Sequence, residues 1–169
     1  MKRIAVHVGD ITRLDVTAIA NAANRSLLGG GGVDGAIHRA AGPKLLEECR
    51  GLGGCETGGC KLTAGYGLPA SYVLHCVGPV WQGGDAGEAA LLASCYEKAL
   101  AIAGERRFAS LAFPAISTGV YGFPAEKAAP IAARAVAGHL ERSDFPEKVL
   151  LVCFDEASAK VYREAVAGL

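Results

Sequence analysis

The sequence predicts an α/β fold, a three-layer α/β/α sandwich around a central mixed β-sheet. Three observations predict it. Short apolar segments of strand character recur along the chain, and longer segments between them carry helical spacing. In the second half the two kinds alternate, whereas the first half sets two strands ahead of its helices. Regular alternation covers both faces of a sheet with helices, and the irregular start makes that sheet mixed.

The first element, Arg3–Val8, alternates Ile4, Val6 and Val8 with Ala5 and His7, as a strand with one buried face does. The stretch DVTAIANAAN reads as a short buried strand ending near Asn21. A glycine run follows, then a short helix, a break at Gly42-Pro43 and a second helical segment closed by glycines. Strands are expected at Lys61–Tyr66 and Tyr72–Val77, the latter continuing into GPVW. Glu88 to Arg107 carries Leu91, Leu92, Cys95, Ala99 and Ile102 at helical spacing and is the clearest amphipathic helix. SLAFPAI is a strand and STGVYGF a loop, and Pro124 to Leu140 is a helix with the proline in its first turn. KVLLVCF is the last strand and Glu156 to Ala167 the last helix. Neither repeat nor linker interrupts the 169 residues, so one domain over 1–169 is expected.

Composition excludes several classes. With 51% hydrophobic and 20% charged residues the chain is globular rather than disordered. Basic and acidic residues balance at 17 each, which argues against broad capture of nucleic acid or an anionic membrane. A local anion site remains compatible with that balance. The amino terminus lacks the pattern of a signal peptide, and no apolar run approaches the ~20 residues that span a bilayer. A cytoplasmic protein is expected. Cys49, Cys55 and Cys60 lie close together but lack a CxxC pair or a nearby histidine, so they read as buried thiols rather than metal ligands. Cys76 and Cys153 fall in apolar runs and read as core. No metal and no cofactor is expected.

The glycine run is the strongest local signal. Gly30, Gly32 and Gly35 satisfy G-x-G-x-x-G, yet they follow the second strand after a long loop, where a dinucleotide fingerprint would follow the first. A P-loop also fails, because no Lys-Ser/Thr follows the glycines. What survives is mechanical: glycines let backbone amides approach a ligand, and the helix starting near Asp34 offers unpaired N–H groups suited to phosphate. A second glycine loop, Ser117 to Pro124, again joins a strand to a helix. Two such loops at strand ends are expected to grip one diphosphate from both sides. Taken alone, the run also fits a turn whose glycines only connect.

Longer motifs go further. GDIT at Gly9–Thr12, NAAN at Asn21–Asn24, GGGGVDGAIHRAAG at Gly29–Gly42, LPASYVLHCVGP at Leu68–Pro79 and FPAISTGVYGFP at Phe113–Pro124 occur in order. Together they resemble the macro domain family, which binds ADP-ribose, over essentially the whole chain. The subgroup most resembled is the MacroD type, with bacterial O-acetyl-ADP-ribose deacetylases and hydrolases of ADP-ribosyl carboxylate esters. Departures are mild: Ala20 stands where a branched residue is usual, and Gly59 and Cys60 fall in a variable stretch.

The resemblance implies roles. Asp10 would accept from the adenine amino group and Ile11 would offer its amide to the same ring, with Phe154 against the adenine face. Read alone, Asp10 is equally a turn cap and Phe154 a core residue. Gly32 and Val33 would surround one side of the phosphates and distal ribose, and Ser117, Thr118, Gly119, Val120 and Tyr121 the other. Asn24 would hold a ribose hydroxyl, since its amide both donates and accepts, though a turn residue is the plain alternative. Asp34 and Asn24 are the expected catalytic residues, Asp34 orienting or deprotonating water beside the distal ribose that Asn24 holds; locally Asp34 also suits a helix cap. His38, one turn on, either orients Asp34 or is structural.

Two functions fit these residues. One is a hydrolase, needing no metal, that cleaves esters at the distal ribose of O-acetyl-ADP-ribose or of mono-ADP-ribosylated acidic side chains. The other is a reader that binds ADP-ribose without turnover. The enzyme is preferred, because a domain without a partner module has little to recruit. The expected partners are therefore small ADP-ribose derivatives or modified proteins, with neither membrane nor nucleic acid.

Overall fold

The computed structural model describes residues 2–169. Its centre is a six-stranded sheet in the order β1-β6-β5-β2-β4-β3. The strands are β1 (Ile4–Val8), β2 (Ala18–Ala23), β3 (Cys60–Ala64), β4 (Tyr72–Val77), β5 (Ser110–Phe113) and β6 (Lys148–Cys153). β1, β6, β5, β2 and β4 run parallel, and β3 alone pairs antiparallel, on the outer edge of β4. The mixed sheet is therefore present, but the two early strands are not neighbours: β6 and β5 lie between β1 and β2.

Among the described residues, five α-helices cover it: α1 (Gly32–Ala41), α2 (Pro43–Leu52), α3 (Glu88–Glu105), α4 (Ala125–Arg142) and α5 (Glu156–Ala167). Period-two alternation decides which helices meet which face. Ala18 and Ala20 of β2 join Leu74 and Cys76 of β4 in a core cluster with Leu92, Tyr96, Ala132 and Tyr162 of α3, α4 and α5. Ile19, Ala23, Val73 and Val77 point the other way and pack with Ile37, Leu45 and Cys49 of α1 and α2. Those are the three layers.

Local chemistry sets the boundaries. Gly42, at φ 89°, stops α1 in a conformation closed to most side chains, and Pro43 then opens α2. Pro124 is the residue before α4 rather than part of its first turn. β2 runs two residues past Asn21, β3 stops at Ala64, and β4 ends at Val77 without continuing into GPVW. α1 begins at Gly32, two residues ahead of Asp34. The sheet edge is pinned by Arg3, whose guanidinium donates to the carbonyls of Leu140, Ser143, Pro146 and Glu147. No helix among the described residues is long and apolar enough to cross a membrane.

The topology makes one crevice. From the carboxyl end of β2 the chain leaves for the face of α1, and from the end of its neighbour β5 it leaves for the face of α4. Where neighbouring parallel strands send their chains to opposite faces, a gap opens above their carboxyl ends.

Candidate functional site

A cleft of about 500 Å³ occupies that gap, across the ends of β1, β6, β5 and β2. Its size suits a small ligand. Every residue expected at the site lines it: Asp10 and Ile11 after β1, Asn24 after β2, and Gly32, Val33 and Asp34 at the start of α1. Ser117, Thr118, Gly119, Val120 and Tyr121 after β5 form the facing wall, and Phe154 stands after β6. Cys153, expected as core, is buried and also reaches the cleft wall.

The two loops meet as facing rows of backbone donors. In the first turn of α1 the N–H groups of Gly32, Val33 and Asp34 precede the first intrahelical bond, which Gly35 makes to Gly31. Gly32 sits at φ 58°, so a side chain there would strain the turn that aims these amides. Across the cleft, the amides of Gly119, Val120 and Tyr121 have no intramolecular acceptor among the described residues. Val120 is 99% exposed and Phe154 76% exposed, which removes both from the core and leaves two apolar side chains at the rim. Ser117 holds a left-handed backbone at φ 66°, and its buried hydroxyl lacks a hydrogen-bond partner among the described residues.

Asp34 is 5% exposed. Its carboxylate does not cap α1, whose N-cap is Gly31. Instead Oδ1 accepts from the Asn21 amide at 2.8 Å, and His38 Nε2 lies 3.5 Å from the same oxygen. That His38 nitrogen is buried without a hydrogen-bond partner, so the contact is electrostatic proximity rather than a formed bond. The other oxygen faces Gly30. A Cβ on Gly30 would come within 3.1 Å of Asp34 Oδ2 and 3.4 Å of the Asn24 amide nitrogen, so the missing side chain leaves the space between them open. Burial pushes the Asp34 carboxyl above its ordinary value, against the lowering pull of Asn21 and His38.

Two expected residues are already engaged. Asp10 caps the turn Ile11–Arg13, accepting from the Thr12 amide at 2.9 Å and the Thr12 hydroxyl at 2.7 Å, which hold its carboxyl below the ordinary value. Its second oxygen, 3.6 Å from the Arg13 Nε, remains exposed. Asn24 shapes its own loop: its amide donates to the Gly29 carbonyl at 2.9 Å, and its oxygen accepts from Ser26 and Leu27. One N–H of Asn24 is left for a ligand, not the whole donor-acceptor pair. Among the cysteines, each a free thiol, Cys60 is half-buried rather than buried.

Sequence reasoning missed Asn21, His75 and Thr63, which lie buried behind Asp34. A signal was present: Asn21 and His75 are each a lone polar residue in an otherwise apolar strand, AIANAA and YVLHCV. Polar side chains in such positions are retained where a partner waits for them.

Comparison with known proteins decides the family. The sequence matches the macro domain pattern over residues 20–132. The chain belongs to the macro domain family. A macro domain-containing protein of Methanosarcina mazei is 58% identical over 167 residues, covering 99% of this chain and 89% of that protein. A Klebsiella pneumoniae protein named O-acetyl-ADP-ribose deacetylase is 55% identical, covering 96% of this chain and 95% of its own length. The fold matches the Trypanosoma brucei macrodomain solved in complex with ADP-ribose at a TM-score of 0.91 and 45% identity, covering 97% of this chain and 69% of that one. It also matches the Oceanobacillus iheyensis macrodomain solved with ADP, at a TM-score of 0.91 and 41% identity over 96% of this macro domain and 89% of that chain.

Proposed function

We propose that this macro domain binds ADP-ribose in the cleft and hydrolyses esters at the distal ribose, of O-acetyl-ADP-ribose or of mono-ADP-ribosylated acidic side chains. The observation that carries this reading is Asp34: a buried carboxylate with one oxygen tied to Asn21 and the other facing Gly30 and Asn24, between two rows of free amides. The Klebsiella relative's name and the ADP-ribose and ADP complexes of the structural relatives support it.

In this reading the exposed face of Phe154 takes the adenine, with the free oxygen of Asp10 and the amide of Ile11 at the ring edge. The diphosphate lies between the amides of Gly32 and Val33 and those of Gly119, Val120 and Tyr121, where unpaired N–H groups and the helix dipole favour an anion. Ser117 and Thr118 belong to the same wall, the Thr118 hydroxyl tying the loop to the Ala115 carbonyl at 2.8 Å, and the remaining N–H of Asn24 holds a ribose hydroxyl.

The acyl ester then lies beside Asp34. A water held by Oδ2 attacks the acyl carbon as Asp34 takes its proton, and backbone amides stabilise the oxyanion. Collapse breaks the bond from the acyl carbon to the ribose oxygen, which receives the proton, leaving a free acid and a free ribose hydroxyl. The raised affinity of Asp34 for a proton makes it a better base than an exposed aspartate.

A side-by-side incubation with O-acetyl-ADP-ribose and with an ADP-ribosylated acidic protein tests the reading, with calorimetry of free ADP-ribose alongside. Release of acetate or of ADP-ribose supports it. Tight binding without release from either substrate would make the protein a reader.

A further inference from the structure

Asn21, His75 and Thr63 are each at most 2% exposed, and none of them lines the cleft. They sit on β2, β4 and β3, and Asn21 and His75 are direct register partners. By alternation all three face the layer of α1 and α2, where Cys49 Sγ approaches His75 Nε2 at 3.8 Å. An unpaired polar group at such depth is costly, so the direction of each bond matters.

The directions follow from donor counting. The Asn21 amide nitrogen has two hydrogens; one reaches Asp34 Oδ1 at 2.8 Å and the other His75 Nδ1 at 3.1 Å. His75 Nδ1 is then an acceptor, so the neutral ring carries its proton on Nε2, which faces the Thr63 hydroxyl at 2.9 Å. Thr63 donates onward to the Ala64 carbonyl at 3.1 Å, which leaves its lone pair to His75. Burial keeps the ring neutral by pushing His75 down to about 4. The whole row admits one orientation of Asn21, with nitrogen and not oxygen on the carboxylate. The Asn21 oxygen is left without a partner among the described residues, which is the cost of that orientation.

We propose that His75 and Thr63 are positioning residues for Asp34: through Asn21 they hold an N–H on one carboxylate oxygen and so keep the other turned to the cleft. The proposal rests on the reading of Asp34 as the group that handles water. Asn21 of β2 and His38 of α1 face Asp34 directly, His75 of β4 stands behind Asn21, and Cys49 of α2 lies within the field of Asp34; burial pushes Cys49 up to about 11, so it stays a thiol.

Carbon-13 NMR of the aspartate carboxyl carbons through a pH titration tests it, with Asp34 assigned by Asp34→Asn and ADP-ribose affinity and acetate release measured alongside. Thr63→Val removes the acceptor for Nε2–H, frees the ring to change tautomer and lets Asn21 turn. The Asp34 midpoint then rises by about half a pH unit or more, and kcat falls about tenfold while KM and the ADP-ribose Kd stay within about twofold. His75→Leu moves the midpoint further in the same direction, and His75→Asn, which presents an oxygen where Nδ1 stands, restores it to near the wild-type value. An Asp34 midpoint unmoved in folded Thr63→Val and His75→Leu proteins overturns the proposal. A wild type that releases nothing, with midpoints that shift as stated, removes the hydrolytic reading and keeps the positioning row.

Discussion

Asn21 Nδ2 stands 2.8 Å from Asp34 Oδ1, so the carboxylate at the cleft has one oxygen committed before any ligand arrives. That bond favours the ionised form, yet burial outweighs it and the carboxyl is raised above 3.8. If Asp34 is the base, kcat/KM for acetate release climbs from the acid side as it ionises, with a midpoint above 3.8. A profile from about pH 3 to 8 checks this. A limb at or below the ordinary carboxylate value contradicts it.

His75 carries a stability consequence. In the unfolded chain it titrates near 6.5, and in the fold burial pushes it down to about 4. Between those values the unfolded state binds the extra proton, so stability falls as pH falls through that window. The full effect is at most about 3 kcal/mol. Urea denaturation at about pH 7 and pH 4.5 measures it, and His75→Asn flattens the slope. Equal slopes in both proteins would show that another group drives the acid loss.

Gly35 lies inside α1, where alanine ordinarily stabilises a helix by about 1 kcal/mol. A Cβ there would come to 2.5 Å of the Gly30 carbonyl oxygen, backbone that cannot swing aside. Crowding therefore exceeds the propensity gain, and Gly35→Ala lowers stability by about 1–3 kcal/mol and weakens ADP-ribose binding by displacing the glycine loop. Thermal denaturation and calorimetry read both. A more stable variant would mean that the loop yields freely.

Phe154 is 76% exposed at the end of β6, so its removal leaves the core intact. Phe154→Ala is expected to change stability by less than about 0.5 kcal/mol. Loss of a stacked base costs about 1–3 kcal/mol, which is about fivefold to 150-fold in the ADP-ribose Kd. Calorimetry with ADP-ribose and with ribose 5-phosphate separates the contributions, since only the first contains a base to stack.

Much of the fold was legible because alternation and helical spacing are local. Glu156–Ala167 carries its period within a few residues and its bounds agree with the sequence reading, as does the start of β4 at Tyr72. Strand order was not legible, because nothing local says that β6 and β5 lie between β1 and β2. At the site, glycine loops and long motifs brought the cleft wall into view, including Asp34 and Tyr121. The commitment of Asn24 to its own loop was hidden, since an amide's partners depend on how the loop closes. His75 was hidden for a related reason: its partner Asn21 is distant in sequence and adjacent only across paired strands.

Acetate release from O-acetyl-ADP-ribose by wild type and by Asp34→Ala tests the central claim most directly. Loss of the carboxylate is expected to slow release by about a hundredfold or more, with ADP-ribose affinity within a few-fold of wild type. Release at the wild-type rate from folded Asp34→Ala would contradict the assignment of Asp34 to the chemistry.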